Sequence, residues 1–216
     1  MMENKIKKLF PCTIRNLQLN FEQNVIFKNL NFVISESPIT VLTGNNGTGK
    51  TLLLKILAGI INPTSGSIIF NNENLKNNDF SFIFQKPIFL DRTVYDNLLY
   101  VLKVKNKMKR ADEVINKNAQ EYKITHLLYR STRGLSGGEQ QIISFIRALI
   151  VSPKVIFLDE AFSNLDKLYI DKIEFIINQI SKNGIKIIMI SHDDNQILRL
   201  ANQVFNIKDG AIDEKI

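Results

Sequence analysis

The protein chain has 216 residues, with 28 Lys and Arg against 21 Asp and Glu, which gives a formal net charge of +7. Its hydrophobic fraction of 44% and charged fraction of 23% are ordinary for a globular protein, so collagen-like, mucin-like and wholly disordered chains are excluded. Because Cys12 is the single cysteine, a disulfide framework within the chain and a multi-cysteine metal site are excluded as well.

The positive charge has two interpretations. Lysine supplies 21 of the 28 cations in a chain also rich in Asn and Ile, a bias that AT-rich coding produces as readily as selection for an acidic partner does. No arginine-rich tract is present, and we expect no nucleic-acid partner. The N-terminal residues are not followed by an apolar run of about 7 to 15 residues, and no apolar run approaches about 18 residues. We therefore expect a soluble chain that meets a membrane only through a partner.

In chain order, the first predicted elements are two strands, each with one face exposed to solvent. Residues 14–19, with a slip at Asn16, and residues 25–34 alternate apolar and polar side chains, which is typical of antiparallel strands. A turn at residues 63–66 precedes a further short strand at residues 67–70, and residues 71–78 form a polar loop.

Short continuous apolar runs indicate strands buried on both faces, as in a parallel sheet. They occupy residues 39–43, 155–158 and 185–190. Helical periodicity is found at residues 51–58, 94–102, 139–151 and 167–180, while residues 87–152 contain no convincing strand. Strands that alternate with helices predict an α/β fold with a parallel sheet and a mostly helical insertion.

A glycine-rich loop follows the buried strand at residues 39–43. It fits the pattern G-x-x-x-x-G-K-[ST] and consists of Gly44, Asn45, Asn46, Gly47, Thr48, Gly49, Lys50 and Thr51. Glycines allow the backbone N–H groups to turn inward around phosphate oxygens, and the following helix adds its positive N-terminal end. Lys50 then reaches the β- and γ-phosphates, and the Thr51 hydroxyl is a ligand for Mg²⁺. We call residues 44–51 the phosphate loop.

Two acids follow another buried strand. Asp159 and Glu160 come directly after the apolar residues 155–158, which carry them to the carboxyl edge of the sheet. Asp159 is predicted to hold Mg²⁺ directly or through water, and Glu160 to polarise a water molecule for attack on the γ-phosphate.

A serine and two glycines open the helix predicted from residue 139. Ser136, Gly137 and Gly138 are followed by Glu139 and a run of periodic apolar residues. The serine is either only a helix cap, or the exposed N–H groups form a second anion site. We call residues 136–138 the signature turn.

Taken in order, these motifs resemble the ATP-binding cassette (ABC) ATPase subunits of transporters over residues 14–213. The resemblance implies a P-loop NTPase (RecA-like) core with a mixed, mainly parallel sheet, an N-terminal antiparallel β-subdomain and an inserted helical lobe. It implies one domain over residues 1–216, with the core at residues 1–84 and 153–216 and the helical lobe at about residues 85–152.

The resemblance also assigns roles to further residues. Phe21 matches the adenine-stacking aromatic residue, Gln85 the glutamine that touches Mg²⁺ and the attacking water, and His192 the histidine that contacts the γ-phosphate. Residues 163–166 match the D-loop at the dimer interface. Departures are small: Ala161 replaces a common proline, Leu52 replaces a common hydroxyl residue, and residues 35–38 replace a Gly-Glu turn.

The resemblance implies ATP and Mg²⁺ as cofactors, with Lys50, Gln85, Glu160 and His192 as catalytic residues. It implies a head-to-tail dimer in which the signature turn of one copy closes on the phosphate loop of the other. The expected partners are transmembrane permease subunits and a periplasmic solute-binding protein, and the expected location is cytoplasmic, on the inner face of the cell membrane.

Several classes stay open at this point. A transport ATPase competes with a soluble ABC ATPase that acts on DNA or ribosomes. The single cassette, with only about 50 residues between Gln85 and Leu135, favours the transporter. Residues 84–98 resemble the corresponding loop of tungstate and related oxyanion importers, with lipoprotein-release and haem-export systems as the alternative. A basic run is either a solvated face or a contact for anionic lipids; it consists of Lys103, Lys105, Lys107, Lys109 and Arg110.

Overall fold

The computed structural model describes residues 6–21, 24–71, 79–162 and 165–215. The strands are β1 (Cys12–Phe21), β2 (Asn24–Ile34), β3 (Ile39–Thr43), β4 (Ser65–Phe70), β5 (Phe80–Ile83), β6 (Val155–Leu158), β7 (Lys186–Ile190), β8 (Gln203–Lys208) and β9 (Ala211–Glu214). The helices are α1 (Ile6–Leu9), α2 (Lys50–Leu57), α3 (Val94–Val104), α4 (Ala111–Glu121), α5 (Gly137–Leu149), α6 (Lys167–Lys182) and α7 (Asp194–Leu200).

The central sheet has the strand order β5-β6-β7-β3-β8-β9. Its strands run parallel from β5 to β8, and β9 pairs antiparallel with β8. Strands β3, β6 and β7 are almost wholly buried, as their continuous apolar sequences predict. Because parallel strands end at the same edge, the residues after β3, β5, β6 and β7 come close to one another there. The expectation of a mixed, mainly parallel sheet is confirmed.

A smaller antiparallel sheet, in the order β2-β1-β4, packs beside the central sheet. The predicted antiparallel pair is confirmed as β1 and β2, and the slip at Asn16 is a register shift between Ile14 and Leu17. Asn16 adopts a left-handed φ of 49° at this bulge. The strand predicted at residues 67–70 begins two residues earlier than expected. Residues 65 and 66, which were predicted to belong to the turn, are the first two residues of β4, which pairs with β1.

Several elements of the structure are not predicted by the apolar periodicity of the sequence. Strand β5 lies at the edge of the central sheet, with Ile83 buried and its other three side chains partly buried. It has only four residues and Ser81 interrupts them, so no long apolar run marks it. Strands β8 and β9 and helices α4 and α7 are likewise not among the predicted elements. Of the predicted polar loop at residues 71–78, all but Asn71 lie outside the described residues.

The three helices α3, α4 and α5 lie between β5 and β6 in the chain, as expected for a helical insertion. Helix α5 packs against both α3 and β5, so the apolar core is continuous from the helices to the central sheet. The boundaries predicted for the core and the lobe, residues 84–85 and 152–153, stay predictions. Within the described ranges, no helix has both the length and the apolar character needed to span a bilayer.

The basic run does not form one solvated face. Lys103 belongs to α3, Lys105 lies 5.7 Å from the ring centroid of Phe80, and the Lys107 ammonium donates to the carbonyl oxygen of Val151. Arg110 pairs with Glu113 at the surface, at 3.7 Å. Three of the five cations therefore contact other groups of the protein.

Candidate active site

The phosphate loop connects β3 to α2, as its sequence context predicts. Gly44 passes so close to β8 that a Cβ atom there would lie 2.2 Å from the carbonyl oxygen of Ile207. Gly49 has a φ of +92°, and a Cβ atom there would lie 2.7 Å from the Phe27 ring. The packing and the backbone conformation of the loop therefore require glycine at both positions, in addition to any requirement that phosphate imposes.

Lys50 is buried, with only 5% of its surface exposed, at the first position of α2. Its ammonium group donates to the carbonyl oxygens of Gly44, at 3.0 Å, and Asn45, at 2.7 Å. Burial lowers the pKa of Lys50, and the carboxylates of Glu160 and Asp159 act in the opposite direction. The lysine thus bridges the start and the end of its own loop.

Thr51 and Asp159 meet across the ends of α2 and β6. The Thr51 hydroxyl donates to Oδ1 of Asp159 at 2.7 Å. Burial raises the pKa of Asp159, while the hydrogen bond from Thr51 lowers it. A hydroxyl and a carboxylate side by side are oxygen ligands of the kind that Mg²⁺ takes.

Glu160, which follows β6, contacts residues that follow the neighbouring strands β5 and β7. Its carboxylate accepts a hydrogen bond from Nε2 of Gln85, at 3.0 Å, and lies 3.1 Å from Nε2 of His192. The backbone of Glu160 has a left-handed φ of 46°, a conformation that residues other than glycine adopt rarely. The three catalytic candidates after β5, β6 and β7 are thereby brought into direct contact.

A cleft of ≈ 380 Å³ lies between the phosphate loop and Glu160. Asn46, Gly47, Gly49, Lys50, Thr51, Leu52 and Glu160 line it. On its far side Glu160 also lines a smaller cavity of ≈ 150 Å³ together with His192. The phosphate loop and the Glu160 side chain therefore border one opening.

Two groups of predicted site residues lie apart from this cleft. Phe21 ends β1 with 49% of its surface exposed, and neither Phe21 nor the signature turn is among the described residues that line the cleft. Of the predicted D-loop, Ser163 and Asn164 lie outside the described residues. Asp166 is the N-cap residue of α6. The roles predicted for these residues stay predictions.

The signature turn forms the N-terminus of α5. The Ser136 hydroxyl accepts from the Glu139 N–H at 3.2 Å, and the Glu139 carboxylate accepts from the Ser136 N–H at 2.7 Å, a capping box. Gly137 faces open space, whereas a Cβ atom on Gly138 would lie 2.3 Å from the ring of Tyr169 on α6. The second glycine is therefore needed for helix packing, a requirement that no sequence pattern signals.

A hydrogen-bonded network not foreseen from the sequence supports the His192 turn. Ser191 donates to Gln196 at 2.8 Å, and Gln196 donates to Glu174 on α6 at 3.2 Å. Arg199 forms a two-pronged pair with the same carboxylate, at 3.0 and 2.7 Å. Glu174 lies 22 residues before Gln196 and 25 residues before Arg199, and the set matches no short motif, so the fold brings Glu174 to the other residues.

The comparison with known protein families agrees with this geometry. The ABC transporter family profile matches residues 27–163. The chain is 32% identical over 209 residues to the spermidine/putrescine import ATP-binding protein PotA of Spiroplasma citri, a match that covers 93% of this chain and 60% of that protein. It is 34% identical over 185 residues to the molybdate/tungstate import ATP-binding protein WtpC of Pyrococcus horikoshii, covering 82% and 54%.

A third relative is the sulfate/thiosulfate import ATP-binding protein CysA of Pseudomonas syringae, with 30% identity over 213 residues that cover 93% of this chain and 65% of that protein. The chain thus spans about three fifths of the length of these curated relatives.

Solved structures agree on the fold. The cbiO1 protein of Clostridium perfringens, described as part of the ABC transporter complex cbiONQ, superposes with a TM-score of 0.81 at 24% identity over 95% of this chain and 87% of that one. The ATP-binding subunit of another ABC transporter superposes with a TM-score of 0.84 at 19% identity, covering 95% and 90%. Because the family profile matches residues 27–163, more than half of the chain, the chain belongs to the ABC transporter family.

Proposed function

We propose that this chain is the ATP-binding and ATP-hydrolysing subunit of an importer and drives transport through separate membrane permease subunits. The observation that carries the proposal is the contact of Gln85 and His192 with the Glu160 carboxylate, beside the cleft of the phosphate loop. A carboxylate held by two neighbours at the end of a buried strand suits a group that orients water for attack on a terminal phosphate.

Each part of the cleft has its own role in the proposed reaction. The N–H groups of residues 44–51 and the ammonium group of Lys50 bind phosphate oxygens. When phosphate binds, Lys50 exchanges the carbonyl oxygens of Gly44 and Asn45 for phosphate oxygens. Glu160 accepts a hydrogen bond from the attacking water, and Gln85 and His192 keep its carboxylate directed at that water. Phe21 provides an exposed ring against which adenine stacks.

We also propose that Thr51, Asp159 and Gln85 hold Mg²⁺. The Thr51 hydroxyl, the Asp159 carboxylate and the side-chain carbonyl of Gln85 are hard oxygen donors, and the first two are hydrogen-bonded to each other. Mg²⁺ held by these residues would supply positive charge beside the phosphates. A cation next to Asp159 would also favour the charged carboxylate, against the effect of burial on its pKa.

Replacing Glu160 by Gln tests the proposed hydrolysis. The amide fits the same space but cannot accept a proton, so we expect ATP affinity to stay within about twofold of the wild type while turnover falls roughly 100-fold or more. A phosphate-release assay and a titration with labelled ATP measure the two effects. Glu113→Gln is the matched control, because Glu113 is exposed on α4 and pairs with Arg110 at the surface. Hydrolysis by Glu160→Gln near the wild-type rate would refute the proposal.

The signature turn is proposed to act on the ATP bound by a second copy. Its residues do not line the cleft of their own chain, and a Cβ atom on Gly137 would point into open space. A head-to-tail pair would bring this helix N-terminus, with its partial positive charge, to the other copy's phosphates.

Import is favoured over lipoprotein release and haem export because the named relatives are all import proteins. Their solutes include a polyamine as well as sulfate, thiosulfate, molybdate and tungstate, so we propose that selectivity resides in the permease and a periplasmic solute-binding protein. The chain would then lie on the inner face of the membrane. Affinity purification of the tagged chain from its host membranes tests this: recovery of a polytopic membrane protein supports it, and recovery of ribosomes or DNA instead contradicts it.

A further inference from the structure

A short segment joins the candidate catalytic glutamine to the helical lobe. Gln85 is hydrogen-bonded to Glu160 of the core, and the chain then passes through residues 88–92 to reach the N-cap of α3 at Thr93. We call residues 88–92 the linking segment. Only Lys86 and Pro87 separate it from Gln85, so the position of this segment determines how far the glutamine side chain reaches.

Arg147, on α5, holds the first part of the linking segment. Its Nη1 donates to the carbonyl oxygen of Ile88 at 2.6 Å, and its guanidinium lies 4.6 Å from the ring centroid of Phe89. A flat guanidinium both stacks on an aromatic ring and donates in its own plane, which an ammonium group does not do.

The surroundings of Arg147 are unusual for an arginine. In the described part of the chain no carboxylate pairs with it, and burial lowers the pKa of its guanidinium. Arg147 is half-buried, and a partly desolvated charge without a counter-ion destabilises a protein unless it makes specific contacts. Arg147 makes its specific contacts with Ile88 and Phe89. We infer that these two contacts hold the guanidinium in place.

The rest of the linking segment is fixed to the same lobe. The buried Asn97 on α3 accepts from the Leu90 N–H at 2.9 Å and donates to its carbonyl oxygen at 3.1 Å. Thr132, just ahead of the signature turn, donates to the carbonyl oxygen of Leu90 at 3.0 Å. The segment is thus attached to α3, to the turn before α5 and to α5 itself, while Gln85 contacts the core.

We propose that Arg147 is a positioning residue for ATP hydrolysis. It fixes the linking segment to the helix that begins at the signature turn, so that Gln85 contacts Glu160 only when α5 is correctly placed. This inference rests on the proposed function of Glu160 and Gln85. It adds a physical link, from the signature turn through α5, Arg147 and Ile88 to the glutamine.

Arg147→Lys and Arg147→Met test the link. The lysine keeps the charge but loses the stacking, and the methionine keeps only apolar bulk. We expect kcat to fall roughly tenfold in both variants, since small displacements of positioning groups have large effects on rate, with the KM for ATP within about twofold of the wild type. Arg133→Lys is the control: Arg133 pairs with Asp91 of the same segment at the exposed surface, and such pairs contribute little. Unchanged kcat in Arg147→Met would overturn the proposal.

A double-mutant cycle separates positioning from general support of the fold. If Arg147 acts through Gln85, then Arg147→Met changes kcat by less than about twofold in a Gln85→Ala background. A further tenfold fall in that background would mean that Arg147 acts by another route, and would overturn the proposal. Thermal unfolding of each variant shows whether it is folded, and Arg147→Lys serves in the cycle if Arg147→Met is not.

Hydrogen exchange keeps the test independent of the proposed function. We expect the peptide that spans residues 86–92 to exchange roughly tenfold faster in Arg147→Lys, and peptides of the central sheet to be unchanged. If the wild-type chain proves inactive as an ATPase, the proposed function fails, and faster exchange would still support the Arg147 contact with the linking segment. Unchanged exchange in that peptide would overturn the contact itself.

Discussion

At the scale of single residues, Lys50 illustrates how a loop is prepared for phosphate. In the described structure its ammonium group donates to two carbonyl oxygens, which are neutral and are therefore weaker partners than phosphate oxygens. Burial has already removed much of the water around it. The exchange of carbonyl for phosphate oxygens is therefore favourable.

Lys50→Ala is expected to raise the Kd for ATP roughly tenfold or more, because hydrogen bonds to charged groups contribute about 1.5–3 kcal/mol. A titration with labelled ATP measures the effect, and Lys117→Ala, on the exposed side of α4, is the control. The assignment of the phosphate loop is contradicted if Lys50→Ala binds ATP with unchanged affinity.

Lys186 is a second buried lysine, but it lies away from the cleft. Its surface is fully buried, and its ammonium group donates to the Ser35 carbonyl oxygen at 3.1 Å and to the Thr40 hydroxyl at 2.8 Å. Burial lowers its pKa from 10.5 to about 7. The neighbouring Cys12 has its pKa raised by burial from 9.0 to about 12.

These two shifts predict how stability depends on pH. Between pH 7 and pH 9 the unfolded chain binds more protons at Lys186 than the native one, so stability rises, by at most about 1.4 kcal/mol per pH unit. Above pH 9 the native Cys12 keeps a proton that the unfolded chain loses, and the rise levels off. Urea denaturation at pH 7 and pH 9 measures this change. Lys186→Met removes the titrating amine, so a rise of equal size in that variant would disprove the assignment.

At the scale of secondary structure elements, the capped N-terminus of α5 and its neighbour α6 form a tight pair. Gly138 allows the Tyr169 ring to lie against the first turn of α5, while Gly137 faces outward. The two glycines of the signature turn therefore have different reasons to be glycine, although the sequence presents them as equivalent.

Gly138→Ala is expected to lower the free energy of unfolding by about 1–3 kcal/mol, because the new methyl group overpacks the contact with Tyr169. Gly137→Ala should be neutral or slightly stabilising, since alanine is the better helix former. Urea denaturation of both variants measures the difference. Tyr169→Leu, combined with Gly138→Ala, should restore part of the loss; equal stabilities for the two single alanine variants would contradict the packing argument.

At the scale of the whole molecule, no residue of the signature turn lines the cleft of its own chain. In the proposed head-to-tail arrangement, a second copy completes each ATP site. ATP would then hold the two copies together, so a variant that binds ATP without hydrolysing it is expected to stay paired.

Glu160→Gln is accordingly expected to sediment as a dimer in the presence of Mg²⁺ and ATP, and as a monomer without nucleotide. Analytical ultracentrifugation measures both states. Combining Glu160→Gln with Ser136→Arg places a bulky cation at the signature turn and should abolish the dimer while leaving ATP bound. A monomer under all these conditions would exclude the head-to-tail arrangement.

The sequence by itself determined much of the chemistry. The phosphate loop, the two acids after β6 and the histidine after β7 each lie within a short window whose spacing reflects local geometry, a strand followed by a tight turn. The buried strands were predictable because continuous apolar runs are needed when both faces of a sheet are covered. The edge strand β5 was not, because it has only four residues and Ser81 interrupts its apolar sequence.

Only the tertiary structure decided which of these residues meet. The pairing order of the central sheet brings Gln85 and His192 to Glu160 from strand ends that are 75 and 32 residues away in sequence. The contacts of Gly138 with Tyr169 and of Arg147 with Ile88 and Phe89 likewise join distant segments. A short motif records what a local turn requires, whereas a contact between elements depends on packing that many sequences achieve in different ways, so it becomes visible only in the folded chain.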